Sequence, residues 1–211
     1  MPFPRRFPSI EVGAGCYPSI MTSSTTRKLT YEDYVQFPED GLSHELIDGE
    51  HYVNPAPYTL HQRVVVNVVL VLGNFARDTG CGEVLVAPTD VVLSQYDVVQ
   101  PDVLYVSRER QRIMGEKFIS GPPDLAVEVL SPSTRRKDLE LKLKLYERVA
   151  VQEYWIVDSE RAAMTVYRLG PSGFGPPLAL FAAKGDILTS PLLPGLTVPV
   201  AELLHVESRR N

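Results

Sequence analysis

"GPPDLAVEVLSPSTRRKDLELKLKLYERV", Gly121 to Val149, is the stretch on which the fold turns. Residues 125 to 130 form a continuous apolar run that reads as a buried strand, broken by a single acid, Glu128. The run ends in Ser131-Pro132-Ser133-Thr134, hydroxyls and a proline suited to a helix start. A helix from about Thr134 to Val149 then puts Leu141, Leu145 and Val149 on one stripe. A carboxylate inside such a strand is costly unless it is paired, hydrogen-bonded or bound to a metal. Glu128 is therefore the first residue to examine for chemistry.

Working outward, "EYWIVD" (153–158) reads as a second buried strand. The intervening helix makes it a parallel neighbour of the first through a right-handed crossover. Upstream, "EVLVAPTDVVL" (83–93) and "QPDVLYVS" (100–107) are two more β-rich runs, which implies a sheet built from neighbours in sequence. Apolar residues at helical spacing between Leu60 and Ala76 predict a long core helix. "LTYEDYVQFP" (29–38) predicts a short helix capped by Thr30 with Asp33 and ended by Pro38, and "HELIDGEHYVN" (44–54) a hairpin across Asp48-Gly49. "AMTVYRL", "PLALFAA" and "LTVPV" are later short strands, followed by a helical turn in "PVAELLHV". The expected class is α/β, a mixed sheet flanked by helices with a C-terminal β appendage.

The 211 residues suit one domain, taken as 27–207, with 1–26 read as a disordered Pro- and Gly-containing extension. Mean hydropathy of −0.05 is that of a soluble globular chain, and no uninterrupted apolar run reaches the roughly 18 residues of a membrane span. Cys16 and Cys81 have no partners at metal-ligand spacing and read as free thiols of a cytoplasmic protein. The net charge of −5 argues against a protein that coats nucleic acid through bulk electrostatics. Local positive charge does gather at Arg108, Arg110 and Arg112, and again at Arg135, Arg136, Lys137, Lys142 and Lys144. That second group could receive phosphates or could be a solvated helix face.

Asp102 opens one strand and Glu128 lies late in the next, so antiparallel pairing would let the two carboxylates meet. Such a pair needs a proton or a cation between its members, and with few histidines nearby Mg²⁺ or Mn²⁺ suits the donors. For either acid alone, a turn cap or an arginine pair is the competing reading. Asp138, Lys142 and Tyr146 follow at i, i+4 and i+8 on one helix face, which could turn Lys142 toward the carboxylates. An exposed pair of Lys142 with Asp138 is its alternative, and Lys144 falls on another face. Glu45 is a third acid entering an apolar strand and could complete a metal shell. His61 reads as a helix-start hydrogen bonder or a site residue, and Ser131 as a cap or a phosphate contact.

Together, "HELIDGE", "VVQPDVLYVS", "DLAVEVLSPST", "DLELKLKLYERV" and "VQEYWIVD" resemble a bacterial family of restriction-endonuclease-like proteins of the Uma2 type, within the PD-(D/E)XK nuclease superfamily. The resemblance runs from about Leu29 to Leu204. It implies an αβββαβ core in which Glu45, Asp102 and Glu128 gather around Mg²⁺, with Mn²⁺ as a substitute. It further implies DNA as substrate and hydrolysis of its phosphodiester bonds. The superfamily lysine would stand two residues after Glu128, where this chain has Leu130; the resemblance moves that role to Lys142 on the next helix. Gln100, before the Pro-Asp pair, is expected to hold water or substrate. A homodimer would supply two centres for double-strand cleavage. An inactive module binding nucleic acid or protein, and a hydrolase of RNA or another phosphate ester, are the alternative readings.

Overall fold

The computed structural model describes residues 27–204. The extension expected over 1–26, Cys16 and the last seven residues lie outside the described residues. Helix α1, Tyr31–Tyr34, begins as its sequence predicts: the Thr30 N–H donates to Asp33 Oδ2 at 2.8 Å, closing a capping box. Strands β1 (Ser43–Ile47) and β2 (Glu50–Asn54) pair antiparallel across Asp48 and Gly49, with Ile47 opposite Glu50. Both turn residues have positive φ, 54° and 77°, the requirement of a tight type I′ hairpin.

Helix α2, Thr59–Thr79, is long and apolar enough by length and composition to cross a membrane. Here its Val64, Val68, Leu72 and Ala76 are buried in the main core cluster with residues of the large sheet, and it ends at a left-handed Gly80. The β-rich run 83–93 is not one strand. It divides at Pro88, which cannot donate to a ladder, into β3 (Gly82–Val86) and β4 (Val91–Ser94) in different sheets. The short β5 (Asp97–Val99) returns beside β4, and β6 (Val103–Ser107) goes back to β3.

After β7 (Ile119–Ser120) comes β8 (Leu125–Val129), antiparallel to β6 with Val103 opposite Val127. That register brings Asp102, the residue before Val103, beside the end of β8 where Glu128 lies. The helical segment that follows begins as a π-helical turn, Lys137–Lys142, and continues as α3, Leu143–Arg148. It leads to β9 (Glu153–Asp158), which pairs parallel with β8 as the crossover predicts. The remaining elements are β10 (Ala163–Gly170), β11 (Gly173–Phe174), β12 (Leu178–Phe181), the hairpin β13 (Ile187–Thr189) with β14 (Thr197–Pro199), and α4 (Val200–Leu204).

Two larger sheets result. One has the order β2-β1-β5-β4-β7; the other runs β11-β10-β9-β8-β6-β3, with β12 also on β10. One cluster of buried apolar side chains lies between α2, α4 and the large sheet, and a second joins the two sheets through Ile47, Val99, Leu104, Leu145 and Tyr146. This is the expected α/β, restriction-endonuclease-like class. On the crossover helix the buried face is partly polar: Lys137, Asp138 and Lys142 are buried with Leu145 and Tyr146, whereas Leu141 and Val149 are only half-buried.

Candidate active site

Glu45 stands in the middle of β1 and is fully buried. Three hydrogen bonds and a further ion pair engage it. Lys142 Nζ approaches Oε1 at 2.8 Å, the Gln100 main-chain N–H donates to Oε1 at 2.9 Å, Asn54 Nδ2 donates to Oε2 at 3.0 Å, and Lys137 Nζ closes on Oε2. Burial alone would raise its pKa. The two ammoniums and the two amide donors outweigh that and hold it down at about 2.

Glu128 sits on β8 with Lys142 Nζ at 2.8 Å and the Tyr146 hydroxyl at 2.9 Å, both on Oε1. Its carboxyl is pushed well above the usual range. Burial is the main cause, and Asp138, Asp102 and Glu45 add repulsion that one shared ammonium does not cancel. Asp102 accepts from the Val129 N–H at 2.8 Å and shares a 3.1 Å hydrogen bond with His61 Nε2, both on Oδ2. Burial pulls the His61 imidazole pKa down, but the hydrogen bond and charge of Asp102 bring it above the ordinary value. His61, in the first turn of α2, therefore serves the acid at the head of β6.

Every residue singled out in the sequence comes to this neighbourhood. Tyr146 fixes Glu128. Gln100 presents its N–H to Glu45 while its side chain is engaged by Ser43 at 2.6 Å and Asp90 at 2.7 Å. Ser131 caps the helix, accepting from the Thr134 N–H at 3.2 Å. The exposed pairing considered for Lys142 does not occur, since its side chain is 2% exposed. The expected basic patch is largely consumed internally: Arg110 pairs with Asp124 and Arg135 with Asp158, each at 2.9 Å, while Lys137 and Lys142 turn inward.

One participant has a place that the sequence does not announce. Lys137 was assigned to the basic surface group, yet it is buried against Glu45 and Asn54. The π-helical turn explains this. In an α-helix positions five apart diverge by about 140°, whereas i→i+5 hydrogen bonding brings them into line, so Lys137 and Lys142 both face Glu45. Asp138, also buried, keeps Oδ1 without a hydrogen-bond partner among the described residues.

These groups border a cleft of about 770 Å³, lined by His61, Gln100, Asp102, Glu128, Asp138 and both lysines. Pro55, Pro57, Tyr58, Pro88 and Pro132 form part of its walls. Among the described residues, no three acid, imidazole or thiol side chains form a ready metal cage, and the Lys142 ammonium itself sits among the acids. The donor set nonetheless suits a hard divalent cation. Four carboxylates (Glu45, Asp102, Glu128, Asp138) face two ammoniums (Lys137, Lys142) in this cluster. Asp102 Oδ1 and Glu128 Oε2 make no hydrogen bond to the described residues, which leaves two oxygens on adjacent strands at the cleft.

Residues 31–201 match the model of the Uma2 family, described as "Putative restriction endonuclease". The chain belongs to the Uma2 family. A solved structure from Anabaena variabilis, described as a putative nuclease belonging to DUF820, superposes on this Uma2 chain with a TM-score of 0.71. The likeness covers 83% of this chain and 97% of that one at 17% identity, and so concerns the fold. The uncharacterized protein slr1290 of Synechocystis is 28% identical over 151 residues, 69% of this Uma2 chain and 77% of that protein. The family description and the fold agree on a restriction-endonuclease-like protein.

Proposed function

We propose that this chain is a divalent-metal-dependent endonuclease that hydrolyses phosphodiester bonds of DNA. The observation that carries this reading is the pair of unengaged carboxylate oxygens, Asp102 Oδ1 and Glu128 Oε2, opening on one cleft beside a lysine. Asp102 and Glu128 would hold Mg²⁺ or Mn²⁺, which when bound polarises the scissile P–O bond.

The chain's own residues supply the rest. His61 fixes the Asp102 carboxylate, and Tyr146 fixes that of Glu128. Lys142 brings positive charge to the position where negative charge grows on the phosphate, and it can orient the attacking water. Glu45, its hydrogen bonds and ion pair already in place, orients the two lysines rather than offering an oxygen to the ion. Leu130, buried in the core cluster that joins the sheets, takes no part; the ammonium comes from the crossover helix instead. A homodimer in the cytoplasm, each copy cutting one strand, fits a single centre per chain.

Supercoiled plasmid and a single-stranded DNA, incubated with the protein in Mg²⁺, Mn²⁺ or EDTA beside Glu128→Ala, test the proposal. Cleavage that requires both the metal and Glu128 is expected. Cleavage that survives EDTA or Glu128→Ala sinks it, and a preference for RNA would reassign the substrate.

A further inference from the structure

Among the described residues, Asp138 Oδ1 is a buried acceptor without a hydrogen-bond partner, in a side chain that borders the cleft. Leaving such a group unsatisfied destabilises the fold, so its retention calls for a reason. Its nearest cation is Lys142, whose Nζ lies 3.9 Å away, beyond hydrogen-bond reach. That ammonium has three N–H donors. One is donated to Glu128 Oε1 at 2.8 Å, and the ammonium forms an ion pair with Glu45 Oε1 at 2.8 Å. About 1 Å of travel would bring Nζ within bonding distance of Asp138. Lys137 meanwhile holds the other oxygen of Glu45, so that carboxylate stays in place while Lys142 moves.

We propose that Asp138 is a second seat for the Lys142 ammonium, taken up when a divalent cation engages Glu128. The inference rests on the metal-dependent reading above. A cation on Glu128 repels the adjacent ammonium and draws away the charge that held it. Lys142 then exchanges Glu128 for Asp138, keeps Glu45 as its pivot, and fills the vacancy on Oδ1. Asp138 is thus a positioning residue that touches neither ion nor substrate, and its unengaged oxygen is what keeps the second seat open.

Calorimetric titration of the full chain with Mn²⁺ reads this directly. Asp138→Asn should weaken Mn²⁺ binding by about tenfold to a hundredfold, as loss of an outer-shell partner does. In a Lys142→Gln background the same substitution should change the affinity little, because no ammonium remains to be relocated. Equal affinity of Asp138→Asn and wild type overturns the inference, and so does an undiminished effect of Asp138→Asn in the Lys142→Gln background, which would make Asp138 a direct ligand. A crystal structure of the wild-type protein with Mn²⁺ is independent of any variant's folding. Nζ of Lys142 within hydrogen-bond distance of Asp138 Oδ1 is expected there; Nζ remaining on Glu128 overturns it. Failure of the wild-type protein to bind Mn²⁺ would remove the metal-dependent reading together with this one, whereas Mn²⁺ binding indifferent to Asp138 removes this one alone.

Discussion

Lys137 and Lys142 are five positions apart in the chain, yet their ammoniums close on the two oxygens of one carboxylate, that of Glu45. The arrangement needs the π-helical turn, and it makes Glu45 the buried anion on which the crossover helix is docked to the small sheet.

Glu45→Gln should therefore be strongly destabilising. It leaves the buried Lys137 ammonium without its anion and Lys142 with Glu128 alone, and breaking a buried pair costs about 3–5 kcal/mol. Urea unfolding at pH 7 measures it, and an unchanged midpoint would contradict the docking role. The sign with pH also follows. The Glu45 pKa is about 2 in the folded protein against an ordinary 4.5, so its stabilisation is present above pH 4.5 and is lost as pH falls toward 2. The gap between wild type and Glu45→Gln should close over that interval.

Glu128→Gln should behave in the opposite way. The folded-state pKa of Glu128 is raised, so this group favours the folded state below its unfolded value of about 4.5 and that contribution is lost as pH rises through the folded value. The variant should equal or exceed wild type in melting temperature at pH 8 without metal, while losing cleavage. A melting temperature well below wild type at pH 8 would show that Glu128 is needed for the fold.

Lys137→Met should lower stability by an amount comparable with other broken buried pairs, about 3 kcal/mol, because Glu45 and Asn54 lose a shared donor. A surface lysine, as its neighbours in sequence suggest, would cost almost nothing on substitution. Denaturant midpoints of Lys137→Met and Lys144→Met, compared side by side, distinguish the two.

Gly82→Ala provides a test of the large sheet away from the cleft. A Cβ there would lie 2.3 Å from the Val106 carbonyl oxygen and 2.7 Å from the Tyr105 ring, where β3 meets β6. A lower melting temperature with unchanged Mn²⁺ affinity of the folded protein is expected. An unaltered melting temperature would mean that the two strands separate more easily than their packing implies.

Much of this was legible because the signals were local. The apolar run around Glu128, its capped helix and the strand at 153–158 define a crossover unit, and the structure pairs those strands in parallel. Asp102 and Glu128 could be brought together from strand order alone. Lys137 was hidden because an α-helical period places it off the face shared by Asp138, Lys142 and Tyr146; nothing in the residue types announces a π-helical turn. The split at Pro88 was missed because the apolar residues on both sides look continuous, although they enter different sheets. The engagement of Glu45 by Asn54 and by the main chain of Gln100 depends on contacts 9 and 55 residues distant, which no local pattern encodes.

The order of the parts along the chain has a temporal consequence. Glu45, Asp102 and Glu128 all precede the lysines, and the link from Glu45 to Lys137 spans 92 residues. On a ribosome the three acids emerge before the two lysines that engage Glu45 and Glu128. The buried charge cluster is thus completed only at a late point in synthesis, when the crossover helix has been made.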